Sequence, residues 1–385
     1  MKSFDLILAG GGAAGLSLAC HIVRSPLRDR SILIVDREPE ERDDRTWCFW
    51  ADHPTLFDPI VSHSWDQLQI LDSRRKRTLD LSPYRYKMIR GRDFYRFARQ
   101  TLSGYPGVKF LQGNVERIED GEPCASVLVD GQEYRGQWVF ESLFNGPAFK
   151  PDERRYRYLK QQFKGWEIET PERAFNPRVA TFFDFRTSQE EGMHFFYILP
   201  LSEREALVES VLYTAALADW SVCEKMLETY LENILHLRRY RVVREEQGIS
   251  PLTDQPFTRR TGRHIMTTGI AGGRIKPSTG YAFLRMQEDS AAIVRSLLQS
   301  GHPFNVPSSP RRYRFFDAVM LSIMAQHAEW VRSIYMELFR HNRVKRILRF
   351  LDEKASVAEN ALMLPGLPRR LLWQTALHLD ALFRV

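Results

Sequence analysis

The stretch Phe4-Asp5-Leu6-Ile7-Leu8-Ala9-Gly10-Gly11-Gly12-Ala13-Ala14-Gly15, running on to Val23, decides how the chain folds. Phe4 to Ala9 has the length and apolar character of a buried strand. Gly10-x-Gly12-x-x-Gly15 breaks it, and the residues to about Val23 read as an apolar helix. Gly10 allows a tight turn, Gly12 lets the backbone reach a pyrophosphate, and Gly15 lets helix and strand pack closely. Phosphates would then sit at the helix N-terminus, on its positive dipole end. A second strand, Ser31 to Val35, ends in Asp36, and an acid about 20 positions beyond the glycines suits a ribose hydroxyl. Strand, glycine turn, helix and acid together make a dinucleotide fingerprint.

A signal peptide or membrane anchor is the competing reading of the same run. Asp5 and the four glycines inside it argue against both, as does the lack of a basic flank beyond Lys2. No other stretch reaches about 18 uninterrupted apolar residues. The expectation is a chain with neither a transmembrane span nor a cleaved signal.

With 385 residues, 43% of them hydrophobic, the chain can bury a large core divided among two or three packed domains. Its four cysteines, Cys20, Cys48, Cys124 and Cys223, form no CxxC pair. That suits a reducing cytoplasm and argues against a zinc or disulfide framework. The 55 Lys and Arg exceed the 48 Asp and Glu by 7. No nucleic-acid motif accompanies this excess, so an anionic membrane surface is the better partner for it.

Further along, Thr46-Trp47-Cys48-Phe49-Trp50 is dense in aromatics for a loop, and Ser62 to Leu81 alternates like short strands. A helix is expected over Asp93 to Leu102, strands over Val108 to Ile118 and Ala125 to Val129, and a hairpin at Asp130-Gly131. Gly165 to Thr170, Val179 to Arg186, His194 to Pro200 and Ala206 to Thr214 read as an antiparallel sheet with one face on a cavity. Thr267 to Ile270 resumes the first domain as a short parallel strand, and Pro277-Ser278-Thr279-Gly280 opens a helix running to Gln299. The expected division is a discontinuous Rossmann-type nucleotide domain (1–60, 84–149 and 248–305), an inserted antiparallel-sheet substrate domain (61–83 and 150–247), and a helical segment (306–385) open to contact with a membrane. This α/β order suggests an FAD-dependent flavoprotein of the aromatic hydroxylase-like architecture. The turn at Pro277, Thr279 and Gly280 would offer a second set of backbone N–H groups to the flavin. Arg90 and Arg92 precede a helix where such proteins often touch the cofactor, and either also reads as a surface arginine.

Glu209 is the lone charge between Ala206 and Tyr213, and period 2 places it on one face with Leu207, Val211 and Tyr213. If that face is buried, desolvation favours the neutral acid. The residues alone favour the other reading, a carboxylate on a solvated face, because isolated charges in strands usually face water.

Five segments resemble the signature segments of the lycopene cyclases: Asp43-Asp44-Arg45-Thr46-Trp47-Cys48-Phe49, Phe196-Tyr197-Ile198-Leu199-Pro200-Leu201-Ser202, Leu207-Val208-Glu209, Arg244-Glu245-Glu246-Gln247-Gly248-Ile249-Ser250-Pro251 and Lys276-Pro277-Ser278-Thr279-Gly280-Tyr281. Order and spacing match from Phe4 to about Ser300. The resemblance implies an enzyme that uses reduced FAD, with NAD(P)H as reductant, to close the ψ-ends of lycopene or of a monocyclic carotenoid into β-ionone rings without net redox change. It places Glu209 on the family's acidic position and implies a cytoplasmic enzyme held peripherally at the inner face of the membrane. Trp47, Phe49, Phe196 and Tyr197 would supply aromatic faces to cations, though each is also explicable as core. One departure is Phe140-Glu141-Ser142-Leu143-Phe144-Asn145, where many members carry an Asp-Gly pair. Val344 to Leu351 and Leu362 to Trp373 mix basic and large apolar residues as interfacial helices do, and as a packed helical lid would. A flavin oxidoreductase on the same fold and a non-catalytic flavin or carotenoid binder are the competing readings.

Overall fold

The computed structural model describes residues 2–37, 43 and 45–363. The Lys2–Ala9 strand pairs in parallel with Ile32–Asp36 on one side and Gln132–Glu141 on the other. Val108–Gln112 extends the sheet beyond Ile32–Asp36, and Ile265–Thr267 adds a last parallel strand beside Gln132–Glu141. Ala125–Val129 and Val115–Glu119 continue it antiparallel on the N-terminal half of Gln132–Glu141. Asp130 and Gly131 both have positive φ, +46° and +76°, as a two-residue hairpin turn requires. The Ala13–Val23 helix packs against Phe283–Ser300, so chain segments far apart in sequence close one nucleotide-binding layer.

The second sheet runs in the order Arg241–Thr253, Tyr158–Glu169, Glu205–Thr214, Met193–Pro200, Val179–Asp184, Gln67–Leu71, Lys76–Asp80. Every neighbouring pair is antiparallel except Val179–Asp184 with Gln67–Leu71. The 13-residue Arg241–Thr253 strand carries the sheet through position 247, where the sequence reading placed a domain boundary. Thr46–Ala51 is likewise a strand, paired with Arg85–Arg90 in a three-stranded sheet beside His63–Trp65.

The two faces of the second sheet meet different partners. Phe195, Tyr197, Leu207, Val211 and Tyr213 share a core with Phe315, Val319, Tyr335 and Phe339 from the C-terminal helices. Ile168, Phe196, Ile198 and Val208 pack instead with Leu227, Tyr230 and Leu231. Helices Arg311–Gln326, Ala328–His341 and Val344–Leu351 therefore cover the sheet. In the last of these Val344, Ile347 and Leu348 are buried, so its apolar face is occupied by protein as in a lid. Of the proposed interfacial segment Leu362 to Trp373, residues 364 onward lie outside the described residues. Among the described residues no helix is long and apolar enough to cross a membrane.

Candidate active site

One cleft of about 870 Å³ runs between the two sheets, lined at one end by Gly10, Gly12 and Asp36 and at the other by Tyr197, Leu207 and Glu209. At the nucleotide end each glycine has its own cause. Gly10 has φ +113°, and a Cβ there would lie 2.3 Å from Ser142 Oγ. A Cβ on Gly15 would stand 2.0 Å from the Gly10 carbonyl oxygen, so this glycine serves the close approach of helix to turn. Gly12 is different: its φ of −81° suits any residue, and an added Cβ meets no protein atom within 4 Å. Protein packing gives no reason for a glycine there, whereas a ligand against the backbone does. Gly12 is also the N-cap of the Ala13–Val23 helix and offers no side-chain cap, leaving first-turn N–H donors for an anion. The residues present thus fit a dinucleotide such as FAD.

The departure at Glu141 to Asn145 forms part of the cleft wall. Ser142 Oγ donates to the Ala9 and Gly10 carbonyls, 3.2 Å each, so a serine pins the turn from behind. Thr279 and Gly280 line the middle of the cleft. Gly280 has φ +75°, and Gln161 Oε1 fills the space where its Cβ would be. Tyr213 donates its hydroxyl to the Thr279 carbonyl at 2.6 Å. Behind the turn, Lys276 Nζ lies 3.0 Å and Ser278 Oγ 2.5 Å from Asp317 Oδ1, which anchors the turn to the C-terminal helices. The following helix starts at Phe283, two residues later than expected, because Gly280 is still left-handed.

Glu209 lies on the cleft wall with Tyr197 and Leu207. Burial pushes its carboxyl well above the ordinary range. The charge of Glu246 and a hydrogen bond with that residue push it further, while Arg244 opposes them. The hydroxyls of Tyr86 and Tyr197 each lie within 3.0 Å of that of Tyr281, at 2.9 and 3.0 Å. Burial raises all three phenols and that of Tyr213, so the wall around Glu209 stays uncharged. The site can therefore present a neutral carboxylic acid to an apolar ligand and face any resulting cation with aromatic rings.

Several expected site residues sit elsewhere. Phe196 alternates to the far face of its strand and stacks on Tyr230, ring centroids 3.7 Å apart, away from the cleft. Phe49 is buried against Phe283, 5.1 Å between centroids, in the core of the nucleotide layer and does not line the cleft. Trp47 lines it and packs edge-on against Phe94. Arg90 is engaged by Glu167, 2.7 Å away, and is not a cleft residue; Arg92 is half-exposed beside Asp93. Pro277 shapes the turn without lining the cleft. Sequence reasoning assigned no role to Glu246, Arg244 or Gly165. Their signal was the alternation of Arg244, Glu246 and Gly248 within a quoted segment.

A model of the lycopene cyclase protein family matches residues 5–376. A lycopene beta-cyclase of Pantoea ananas is 24% identical over 72% of this chain and 71% of its own length. Another, of Pseudescherichia vulneris, is 24% identical over 97% of both chains. Among solved structures, a geranylgeranyl bacteriochlorophyll reductase-like protein of Thermoplasma acidophilum superposes with TM-score 0.63 at 11% identity, covering 99% of this chain and 100% of that one. A flavin-dependent brominase does so with TM-score 0.57 at 12% identity, covering 97% and 94%. At such identities these likenesses speak for the flavoprotein fold alone.

Proposed function

Because the chain belongs to the lycopene cyclase family, we propose that it is a lycopene β-cyclase of carotenoid biosynthesis, with Glu209 as the acid. The observation that carries this reading is a neutral-tending carboxyl on an aromatic wall, at the far end of a cleft that begins as a dinucleotide site. Backbone N–H groups at Gly12 and Ala13 would hold the pyrophosphate, Asp36 the ribose, and Thr279 with Gly280 the flavin end. When bound and reduced by NAD(P)H, FAD would supply negative charge to the cleft without net electron transfer.

Glu209 gives its proton to C2 of the terminal isoprene unit, and the C1=C2 electron pair forms the new C–H bond, leaving C1 cationic. The C5=C6 pair then forms the C1–C6 bond, and loss of the C6 proton restores a double bond in the ring. An alkene is a poor base, so the acid must be undissociated and dry. The covered sheet face and the raised Glu209 carboxyl serve both needs. Trp47 and Tyr197 offer π-faces to the cation, and neutral phenols are weak traps for it.

Lycopene and its monocyclic product are membrane-dissolved, so the net charge of +7 is proposed to hold the enzyme peripherally at an anionic cytoplasmic surface. Expression in a lycopene-accumulating bacterium, with pigments resolved by chromatography, tests the activity. Formation of γ- or β-carotene is the expected result, and unchanged lycopene in cells that hold folded, flavin-loaded protein refutes it.

A further inference from the structure

Strand register places Glu209 directly opposite Gly165, and Gly165 directly opposite Glu246. The two glutamates therefore flank one glycine on the same face of three adjacent strands. A Cβ on Gly165 would stand 3.1 Å from Glu246 Cγ and 3.4 Å from Glu209 Oε2, so the missing side chain makes the space in which the carboxyls meet. Glu246 is buried and does not line the cleft; it acts on the cleft only through Glu209. Its Oε2 accepts from Thr46 Oγ1 at 2.7 Å and from Arg244 Nη2 at 2.8 Å. Its Oε1 is buried with no nitrogen or hydroxyl donor among the described residues, and a proton on Glu209 would satisfy it.

Resting on the cyclase reading above, we propose that Glu209 and Glu246 act as a one-proton carboxyl pair across Gly165. In this pair Glu246 is the ion-paired positioning residue that keeps the catalytic proton on Glu209. The surrounding charges support it. Arg244 bridges Glu246 and Glu167, with Asp43 Oδ1 3.8 Å from its Nη1, and Arg90 holds Glu167. Among the described residues of this cluster two guanidiniums face three carboxylates before Glu209 is counted, so a charge on Glu209 would add to an existing negative excess. The other titratable groups facing Glu209, Tyr197, Tyr213 and Cys48, are held neutral by burial and offer no counter-charge. A hydrogen bond with Glu246 adds to the retention of the Glu209 proton. Over one ring closure the pair passes from one proton to none as C2–H forms, and back to one as the C6 proton returns. The doubly ionised pair exists only while the substrate carries the compensating cation, so proton count and charge both close.

The test is Glu246→Gln in the flavin-loaded protein, read by the infrared carbonyl band of the protonated carboxyl and by the pH profile of turnover. Loss of the Glu246 charge, and an amide able to donate to an ionised Glu209, should move the band's titration and the alkaline limb of turnover down together by about one to two pH units. Turnover should recover toward low pH, Glu246→Asp should restore part of the shift, and Glu209→Gln should abolish the band. If Glu246→Gln does not fold, Gly165→Ala, which crowds both carboxyls, should give a smaller shift of the same sign. A folded Glu246→Gln or Gly165→Ala protein with band and limb unmoved overturns the pair and leaves the cyclase reading intact. A band that shifts in Glu246→Gln, while the wild-type protein cannot cyclise lycopene, supports the pair and sinks the cyclase reading.

Discussion

Gly12→Val separates cofactor binding from folding more cleanly than any other change in the chain. The backbone at Gly12 is extended, with φ −81° and ψ −166°, and the new Cβ meets nothing within 4 Å. The folding cost is then confined to the poor N-cap preference of valine, about 1 kcal/mol. The ligand-free protein should melt within about 2 °C of wild type. The same Cβ and its methyls occupy the path of the pyrophosphate and cover the first-turn N–H groups. In wild type, FAD at about 100 times its Kd should add about 2.7 kcal/mol of stability. Over 385 residues that corresponds to a rise of roughly 3 °C. The variant should purify without flavin absorbance and show no such rise when titrated with FAD. Gly15→Val is the contrast, since its Cβ would lie 2.0 Å from the Gly10 carbonyl oxygen and no flexible side chain can give way. It should fail to accumulate as folded protein at all. A Gly12→Val protein that carries full flavin, or keeps the FAD-induced rise in melting temperature, refutes the placement of the pyrophosphate.

Glu209→Gln should retain flavin and bind lycopene while turnover falls by about 10²–10⁴-fold. Cyclisation in deuterated water should place one deuterium at C2 of each new ring, and a near wild-type rate for the variant would make Glu209 structural. Burial pushes the Glu353 carboxyl up, but Lys276 and Arg285 more than offset it and hold it at about 2. From the ordinary 4.5 that shift is worth about 3 kcal/mol of stability. A lowered carboxyl contributes fully above its unfolded value, so Glu353→Gln should be most destabilising near pH 7, with the deficit closing as pH falls from about 4.5 toward 2. Equal melting deficits at pH 3 and pH 7 would contradict this. Phe196→Ala removes the ring stacked on Tyr230 and should cost about 3–5 kcal/mol in urea unfolding. Turnover per folded molecule should not change, because the ring faces away from the cleft. A selective loss of turnover would put Phe196 back in the substrate wall.

The nucleotide half of the molecule was legible because its constraints are local. A glycine that must pass under a carbonyl, or that must leave a pyrophosphate room, announces itself within a dozen residues, and so does the Asp130-Gly131 turn. The aromatic wall was legible only in part. Phe196 and Tyr197 are consecutive in a strand, so period 2 already forbids both from facing one cavity, and only the helices on each face decide which one does. Phe49 shares the parity of Trp47, yet Phe283 on a helix more than 200 residues away claims its ring. Arg90 sits where a cofactor contact was expected, and a carboxylate from the other sheet, Glu167, takes it instead.

Glu209 shows where the limit lies. Pattern alone favours a wet face for a single carboxylate in an apolar strand, because the sequence of one strand carries no information about what covers it. Two later segments settle the matter physically. The C-terminal helices cover the face that holds Leu207, Val211 and Tyr213, and Arg241–Thr253 brings Glu246 to the same row. Neither is near Glu209 in sequence. The connection between them is Gly165, a residue whose importance lies in having no side chain, and which becomes visible only when three strands are laid in register. A like-charged neighbour would ordinarily count against a buried acid. In the proposed pair it works the other way: burial comes first in holding the proton on Glu209, and the Glu246 carboxyl beside Arg244 adds to it.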